Sequence, residues 1–358
     1  MRVIFDILGS TERSGGMRLH ATEIVNSWLN QFPEDDVLVV GGSWAKAEFE
    51  QVGARVSVLN NEKFVWRAWG QAVYTAWLRA RTKADVLISL SPIVSPLAPS
   101  NRAICFQHDW RHIKNPHEFP VAQRAYRRMW KISAARAVVN VCISQKAAQE
   151  TQSYVPGART VVIENGWDHA RSWPAFDHDS SDRYIVTFGH HNNKRPELLI
   201  DALSGLTDAG VRLVVLGARG QYRDELSERA ERNGVAGRVV LPGFVEDEEY
   251  QRLVSGASVV ALVSSDEGFG LPVAEAHYLG IPAVVTSDSG MESIFGDFPH
   301  VAEPDPNSLA HALNRALAAP QVAGPPEQSW DDTARQLRNL VGADPARGVR
   351  PSSSVMRL

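Results

Sequence analysis

Short apolar runs alternate with helical patterns along the first half of the chain. The runs are rich in Val and Ile and comprise VIFDIL (3–8), VLVV (37–40), ARVSVL (54–59), DVLISL (85–90), AICFQH (103–108), AVVNVCIS (137–144) and TVVIEN (160–165). Continuous apolar runs of this length, separated by helices, are typical of parallel strands that are covered on both faces. The pattern predicts a doubly wound, Rossmann-like α/β domain over residues 1–165.

The second half repeats this pattern. Its predicted strands are YIVTFG (184–189), VRLVVLG (211–217), RVVLPG (238–243), SVVALVSS (258–265) and PAVVT (282–286). Its predicted helices are 196–207, 221–234, 247–256 and 271–280, followed by amphipathic patterns at 307–318 and 329–341. We therefore expect a second Rossmann-like domain over residues 183–325. Two such domains would face a cleft, and open α/β sheets bind ligands beyond the carboxyl ends of their strands.

Two segments have no periodic pattern. Residues 166–182 are polar and rich in Asp and Ser, which predicts a linker. Residues 342–358, which carry the terminal GADPARGVRPSSSVMRL pattern, are expected to form a disordered tail.

Composition excludes several classes of protein. The chain has 358 residues, of which 44% are hydrophobic and 22% charged, as in globular proteins. No apolar run approaches the roughly 18 residues of a membrane span. Acidic and polar residues come early in MRVIFDILGSTERSGG, so we expect no secretory signal. Cys105 and Cys142 lie in apolar runs and are expected to be core thiols in a reducing cytoplasm.

The charge is distributed unevenly. Residues 1–165 carry 20 basic and 14 acidic residues, whereas residues 166–358 carry 17 basic and 27 acidic residues. The two halves are therefore expected to bind different partners. Neither half is basic enough to indicate nucleic-acid binding.

The stretch DEGFGLPVAEA (266–276) carries the most specific chemistry. Gly268 and Gly270 follow a predicted strand and allow a ligand to approach the main chain. A helix is predicted to begin near Leu271, because a proline at the next position suits a first helical turn. The free N–H groups of such a turn bind anions, and a phosphate is the usual occupant.

The two glutamates of this stretch flank the predicted anion site. Glu275, about one turn into the helix, can accept hydrogen bonds from a vicinal diol such as a ribose, and Glu267 can do so for sugar hydroxyls on the other side of the phosphates. An acidic helix start that complements the helix dipole is the simpler interpretation, but it accounts for only one of the two glutamates. A dinucleotide fingerprint would require Gly or Ala where Val273 stands.

These residues resemble the E-x7-E motif of family-4 retaining glycosyltransferases with the GT-B fold. Further resemblances are Gly15-Gly16, QHD (107–109), CIS (142–144), ENGWD (164–168), FGHHNNKRPELLIDAL (188–203), LPGFVEDEEY (241–250) and Ser329-Trp330. The last of these implies that a C-terminal helix over 326–341 crosses back to the first domain. The fold class implied is α/β, with an acceptor-side first domain and a nucleotide-sugar-binding second domain.

The resemblance also implies roles for individual residues. Catalytic groups would be His108, Asp109, Glu267, Lys194 and Arg195. Donor-binding residues would be Gly15, Gly16, Gly243, Phe244, Val245, Gly268, Phe269, Gly270, Leu271 and Glu275. Many relatives have Arg followed by Lys where this chain has Lys194 followed by Arg195, so which base contacts which phosphate stays open.

The basic pair and the His-Asp pair also have simpler interpretations. Lys194 and Arg195 could be a solvated helix start, but a helix N-terminus repels cations unless an anion is bound there. His108 could be an ordinary hydrogen-bonded residue at a strand end. The resemblance makes it a contact to the reacting sugar, and makes Asp109 an acceptor-side or positioning group.

Two further segments were considered as sites. Asp177-His178-Asp179 matches a D-x-D metal motif but falls in the predicted linker, and zinc-ligand spacing is absent, so no essential metal or other cofactor is expected. In residues 120–137, Arg124, Arg127, Arg128 and Lys131 share one predicted helix face. That face could lie on an anionic membrane, or the helix could be an ordinary one with one wet side.

The combined expectation is a retaining, metal-independent glycosyltransferase. It would move a hexose or deoxyhexose from an NDP-sugar to a hydroxyl of a saccharide or lipid-linked saccharide in bacterial polysaccharide or glycolipid assembly. The location would be cytoplasmic, with peripheral contact to the inner face of the cell membrane. A sugar-nucleotide epimerase or hydrolase of the same fold, and a non-catalytic nucleotide-sugar-binding subunit, remain alternatives.

Overall fold

The computed structural model of the protein describes residues 1–12, 14–173, 183–319 and 328–342. The chain divides into two compact units. The first comprises Met1–Gly166 together with the C-terminal segment that begins at Gln328, and the second comprises Trp167–Glu327. Among the described residues, the first unit has a seven-stranded and the second a six-stranded sheet, and every strand pairing is parallel.

The first sheet has the strand order β3-β2-β1-β4-β5-β6-β7. Its strands are β1 (Arg2–Asp6), β2 (Asp36–Gly41), β3 (Arg55–Val58), β4 (Val86–Ser89), β5 (Ala103–Gln107), β6 (Val139–Cys142) and β7 (Thr160–Val162). Its helices are α1 (Gly15–Gln31), α2 (Ser43–Phe49), α3 (Phe64–Trp69), α4 (Thr75–Thr82), α5 (Arg111–Lys114), α6 (Val121–Arg136) and α7 (Gln145–Tyr154), with a π-helical turn, Gly70–Tyr74, joining α3 to α4.

The second sheet has the order β10-β9-β8-β11-β12-β13. Its strands are β8 (Tyr184–Phe188), β9 (Arg212–Leu216), β10 (Val239–Gly243), β11 (Val259–Leu262), β12 (Ala283–Thr286) and β13 (His300–Ala302). Its helices are α8 (Pro196–Ala202), α9 (Gly220–Arg232), α10 (Asp247–Ser255), α11 (Leu271–Leu279), α12 (Glu292–Phe295) and α13 (Pro306–Ala318).

The predicted α/β class is confirmed for both units. Each of the twelve predicted runs contains a strand, because the central strands are buried on both faces and their sequences are therefore almost continuously apolar. Several features were not predicted. Among them are the short edge strand β13, the four-residue helix α12, and the division of the segment between β3 and β4 into two helices with a π turn.

The C-terminal helix α14 (Trp330–Gly342) is part of the first unit. Arg338 Nε donates to Asp35 Oδ2 at 2.6 Å, and the Trp330 side chain is fully buried. A Cβ on Gly166 would lie 2.1 Å from the Trp330 amide nitrogen, so only glycine allows this close approach. Most of the predicted linker, residues 174–182, and the predicted tail from residue 343 lie outside the described residues.

Within the described part of the chain, no helix combines the length and the apolar content needed to cross a bilayer. Cys105 and Cys142 are free, buried thiols, and burial raises the pKa of each to about 12.

Asp6, the last residue of β1, is a buried carboxyl group with an unusual pKa. Its Oδ1 accepts a hydrogen bond from the Leu8 amide at 3.0 Å, while its Oδ2 has no hydrogen-bond partner among the described residues. Burial raises the pKa of Asp6 to about 7, against the smaller lowering effect of the Leu8 amide. The protonated form is therefore preferred in the folded state up to about neutral pH.

We predict that Asp6→Asn stabilises the protein more at pH 8 than at pH 5. Above the unfolded-state pKa of about 4, the unfolded chain releases the Asp6 proton while the folded chain keeps it until about pH 7, so Asp6 lowers the free energy of unfolding as pH rises. The gain should be greater at pH 8 by on the order of 1–3 kcal/mol. Urea denaturation at both pH values measures it, and an equal effect at the two would contradict the argument.

Candidate active site

The Lys194 ammonium and the Glu267 carboxylate form an ion pair between two loops of the second unit. Lys194 lies in the loop after β8, and Glu267 in the loop between β11 and α11. The Nζ–Oε1 distance is 2.5 Å, and Lys194 is only 8% exposed. Charges this well shielded from water stay ionised only when paired. The pair joins a cation and a sugar-binding carboxylate that the sequence had predicted separately.

Asn193 fixes the two loops to each other. Its side-chain Nδ2 donates to the Asp266 carbonyl at 3.0 Å, and its own carbonyl accepts from the Ser265 amide at 2.9 Å. Because Asn193 is itself buried, these bonds hold the residue before Lys194 against the residue before Glu267. Backbone contacts between the two loops therefore help to fix the position of Lys194 relative to Glu267, in addition to the attraction between their charges.

Arg195 points in a different direction from Lys194. Its Nε donates to the Val263 carbonyl at 2.9 Å, and its two terminal nitrogens reach Asp288 Oδ1 and Oδ2 at 2.7 and 2.8 Å and Thr286 Oγ1 at 3.1 Å. These acceptors lie just beyond β11 and at the end of β12. The guanidinium group thus ties the start of α8 to the carboxyl ends of two neighbouring strands.

The backbone of Arg195 explains why two adjacent cations diverge. Arg195 has φ +48°, in the left-handed region that non-glycine residues seldom occupy. Such a conformation costs on the order of 1 kcal/mol and persists only where surrounding contacts hold it. Asp288 is one such contact: burial raises its pKa and hydrogen bonds from Arg195 and Thr286 lower it, with a net pKa below the ordinary value.

The anion site is predicted at the start of α11. Gly270 has φ +93°, and a Cβ there would lie 2.7 Å from the Met291 sulfur, so the turn requires glycine. Val273 and Ala274 make the first bonds of the helix, both to the Gly270 carbonyl. The amides of Gly270 and Leu271 precede these bonds, and Pro272 has no N–H, so two donors are available for an anion. Phe269 is buried beneath the turn.

Glu275 is buried in the body of α11 and contacts two other side chains. Only 3% of the residue is exposed. Its Oε1 lies 3.0 Å from His169 Nε2, and its Oε2 accepts a hydrogen bond from the Tyr250 hydroxyl at 2.6 Å. Burial raises the pKa of Tyr250 well above its usual value, and the Glu275 charge adds to this effect. Tyr250 is therefore a permanent donor to Glu275.

An exposed aromatic ring lies at the loop after β10. Phe244 is 62% exposed, and the Arg219 guanidinium lies 5.2 Å from the centre of its ring. Gly243, with φ +80°, turns the chain at this point, and its carbonyl accepts from the Gly217 amide at 2.7 Å. Val245 continues the loop toward α10. Both groups lie just beyond the carboxyl ends of β9 and β10, where open sheets bind ligands.

In the first unit, Gly15 and Gly16 form the first turn of α1 rather than a separate glycine turn. The backbone amide of Arg18 donates to the Ser14 carbonyl. The amides of Gly15 and Gly16 come before this bond and therefore make no hydrogen bond within the helix. Both residues are exposed. The start of this 17-residue helix therefore presents donors to an anion.

His108 is neutral and has a defined tautomer. Its Nε2 lies 3.1 Å from the Leu90 carbonyl, which can only accept, so Nε2 carries the proton. Burial lowers the pKa of His108, which leaves Nδ1 as an acceptor for a hydroxyl group. His20 packs edge-on against this ring at 4.7 Å and bonds to Asn165 Oδ1 at 2.9 Å.

Asp109 stabilises the beginning of α5. Its Oδ1 accepts from the Arg111 amide at 3.0 Å, a common turn contact for Asp. In residues 1–12, 14–173, 183–319 and 328–342, no cluster of three or more His, Cys, Asp or Glu side chains could hold a metal ion. The Asp177-His178-Asp179 motif lies outside those residues.

Two family models match most of the chain. The model described as glycosyl transferases group 1 matches residues 174–337, and the model described as glycosyltransferase family 4 matches residues 14–171. The chain belongs to the family-4 glycosyltransferases. Its fold is GT-B: Anabaena HepE, solved in complex with UDP and glucose, aligns with a TM-score of 0.68 and 21% identity over 96% of this chain and 97% of that one.

The curated relatives of this family member align with it over only part of their length. The O-antigen chain mannosyltransferase B of Escherichia coli is 33% identical over 35% of this chain and 32% of its own length. A D-inositol 3-phosphate glycosyltransferase of Xylanimonas cellulosilytica is 35% identical over 41% of this chain and 39% of its own length. The alignments thus span between about a third and a half of the relatives' length.

Sequence reasoning had not singled out several partners of these residues, namely Asn193, Asp288, His169, Tyr250 and Arg219. Thr286 and Asp288 stand at the end of a predicted strand, where ligand-side residues are expected, and that signal was available. Tyr250 and His169 are distant from Glu275 in sequence, and their contact with it depends on how α10 and the segment after Trp167 pack against α11.

We predict that Arg195→Lys destabilises the glycosyltransferase by about 1 kcal/mol, because an ammonium group cannot bond to Val263, Thr286 and both Asp288 oxygens together. Arg232→Lys is the matched control, since Arg232 is exposed and its ion pair with Glu228 is a long one at the surface. Urea denaturation measures both. A loss for Arg195→Lys no greater than that for Arg232→Lys would show that these contacts do not support the loop.

Proposed function

We propose that this protein is a retaining, metal-independent glycosyltransferase that transfers a hexose or deoxyhexose from an NDP-sugar to a hydroxyl of a saccharide or lipid-linked saccharide. The observation that carries the proposal is the Lys194–Glu267 pair, which joins the loop between β8 and α8 to the loop that leads into α11. A cation, a carboxylate and free helical amides in one short region fit a sugar joined to a diphosphate.

In this proposal the diphosphate binds the amides of Gly270 and Leu271 together with Lys194. The ammonium group has three donors, so it can contact a phosphate oxygen while one donor remains on Glu267. Arg195 already uses four of its five N–H donors on Val263, Thr286 and Asp288, which leaves at most one N–H, on Nη1, for a phosphate oxygen. We therefore assign the direct contact to Lys194 and the fixing of the loop to Arg195.

Glu267 and Glu275 would recognise the hydroxyl groups at the two ends of the donor. Glu267, with Gly268 and Phe269 beside it, would contact the transferred sugar. Glu275 would accept from the ribose, since each carboxylate oxygen has a second lone pair beyond those used by His169 and Tyr250.

The nucleobase would bind at the Gly243, Phe244 and Val245 loop. An exposed ring with a guanidinium group over it offers a stacking surface for a planar base. Contacts of this type tolerate different bases.

The first unit would take the acceptor. His108 Nδ1 would accept from a hydroxyl of the reacting sugar, and Asp109 would position the segment that follows it. The amides of Gly15 and Gly16 would support the diphosphate as charge develops on it.

Transfer itself needs little covalent chemistry from the protein. The bond between the sugar C1 and the phosphate oxygen breaks, the bond between C1 and the acceptor oxygen forms on the same face, and a phosphate oxygen takes the acceptor proton. The protein contributes positioning and stabilisation of the departing diphosphate by Lys194 and the helix amides.

The proposed setting is polysaccharide or glycolipid assembly, in the cytoplasm and with peripheral membrane contact, and the names of the relatives support the first part of it. Besides the E. coli O-antigen enzyme, they include the GDP-mannose:cellobiosyl-diphosphopolyprenol alpha-mannosyltransferase of Komagataeibacter xylinus, 25% identical over 57% of this chain. α6, with Arg124, Arg128 and Lys131 exposed, is the element that the sequence suggested for the membrane contact.

We predict that one nucleotide family among UDP-, GDP-, ADP- and dTDP-sugars raises the Tm in the presence of EDTA, and that the same donors release nucleotide only with a suitable acceptor. Lys194→Gln should weaken donor binding about 10- to 100-fold, because a charge-assisted hydrogen bond contributes about 1.5–3 kcal/mol. Lys46→Gln, an exposed lysine in α2, is the matched control. Calorimetric titration gives the Kd values, and NMR of the product gives the anomeric configuration.

The outcomes separate the alternatives. Release of sugar to water or its isomerisation without an acceptor would favour the epimerase or hydrolase, and binding without turnover would favour a non-catalytic subunit. Tyr250→Phe removes only the hydroxyl that bonds to Glu275 and should also weaken donor binding. Unchanged affinity in Lys194→Gln would contradict the proposal.

A further inference from the structure

A row of aromatic side chains lies exposed along α3, the π turn and α4, residues 64–82. Trp66, Trp69 and Trp77 are 51%, 42% and 52% exposed, and Val65 and Val73 are exposed beside them. Tryptophan is highly buried on average, and soluble proteins seldom expose a large contiguous apolar patch unless it binds something. We call residues 64–82 the aromatic face.

The π turn aligns these rings. In a π-helical turn, residues five apart lie above one another, and Trp69 and Tyr74 stack at 5.6 Å between ring centres. Tyr74 stacks in turn on Trp77 at 5.6 Å, and Trp66 lies edge-on to Trp69 at 6.0 Å.

The inner side of the same segment holds the row in place. Gly70 and Gln71 are buried, and a Cβ on Gly70 would lie 2.7 Å from Leu8 Cδ1. Gln71 Nε2 donates to Ser91 Oγ at 2.9 Å, and the Tyr74 hydroxyl bonds to Ser57 Oγ at 2.8 Å. The aromatic face is therefore a fixed surface, so its exposure does not come from a loosely packed helix.

The charge on the aromatic face has one sign. Residues 63–83 contain five basic residues and no acidic one, namely Lys63, Arg67, Arg79, Arg81 and Lys83. Arg81 lies over the Trp77 ring at 5.6 Å, which places a cation directly beside the aromatic row. Basic residues beside an anionic lipid surface are attracted to it, and this attraction falls off within a Debye length.

α6 extends this basic surface. The Phe64 and Tyr126 rings pack edge-on at 4.9 Å, and Arg67 lies 5.9 Å from the centre of each ring. α6 also carries five basic residues and no acidic one, and Val121 and Ile132 are exposed on it. Two neighbouring helices thus present aromatic and cationic groups and no carboxylate of their own.

This combination favours a lipid surface over another protein. Tryptophan prefers the level of the lipid headgroups, and helices with Trp on one side and Lys or Arg beside it lie in the plane of the membrane interface. Two copies of the chain that met through this face would bring like charges together, which disfavours a symmetric dimer.

We propose that the aromatic face docks on an anionic bilayer surface, with Trp66, Trp69 and Trp77 at the boundary between headgroups and acyl chains. The proposal assigns the contact to residues 64–82, with α6 supplying additional charge. It does not depend on glycosyl transfer, because docking requires neither donor nor acceptor.

The test is co-sedimentation of the full chain with phosphatidylcholine vesicles that contain or lack phosphatidylglycerol. We expect binding to the anionic vesicles only, and loss of about tenfold or more when Trp66, Trp69 and Trp77 are all replaced by Ser. Val240→Ser removes an exposed apolar side chain from the second unit and should leave vesicle binding unchanged. Arg124→Gln with Arg128→Gln should weaken binding to anionic vesicles by a smaller factor. Circular dichroism and Tm report whether each variant is folded.

Brominated lipids provide a second measurement in the unsubstituted chain. Quenching of tryptophan fluorescence by bromine in the upper acyl chain is expected with anionic vesicles, and it should be lost in the triple variant. Binding of the triple variant equal to that of the original chain, or no binding to anionic vesicles, would overturn the proposal. So would self-association that the triple variant abolishes in the absence of any vesicle binding.

Discussion

The second unit depends on one electrostatic constraint, which is that Lys194 and Glu267 neutralise each other where neither has much contact with water. A single unpaired charge in that position would lower the free energy of unfolding, so removing either partner destabilises the folded state by leaving the other charge unpaired. The pair holds the loop after β8 and the loop after β11 at a fixed separation. It also places the Lys194 cation in the same region as the amides at the start of α11, where an anionic ligand could bind.

The surrounding contacts explain how the chain maintains this arrangement. Arg195 adopts an unfavourable backbone conformation, and its bonds to Val263, Thr286 and Asp288 compensate for it. Asn193 joins the same loops through the main chain. Glu275 is held by Tyr250 and His169 in a similar way. Preorganisation of this kind lets binding energy act on the ligand, since the site does not need to be ordered first.

Much of the fold was predictable because buried parallel strands have almost continuous apolar sequences, and all twelve predicted runs contain strands. The edge strand β13, His300–Ala302, has only two consecutive apolar residues, between His300 and Glu303, and so lacks the apolar run that marks the other strands. In the site, the glycine turn and Glu267 could be predicted from local pattern. The contacts of Asp288, Tyr250 and His169 could not, because they depend on the packing of distant segments. The aromatic face was not predicted because Trp66, Trp69 and Trp77 have the spacing of the apolar face of a helix, and such a face is ordinarily buried.

The most direct measurement of the central claim is a crystal structure of the chain soaked with its stabilising nucleotide-sugar. The account predicts that the diphosphate lies within hydrogen-bond distance of Lys194 Nζ and of the amides that precede the first bonds of α11, with Glu267 against the sugar. A diphosphate bound elsewhere, with the Lys194–Glu267 pair undisturbed at 2.5 Å, would contradict it.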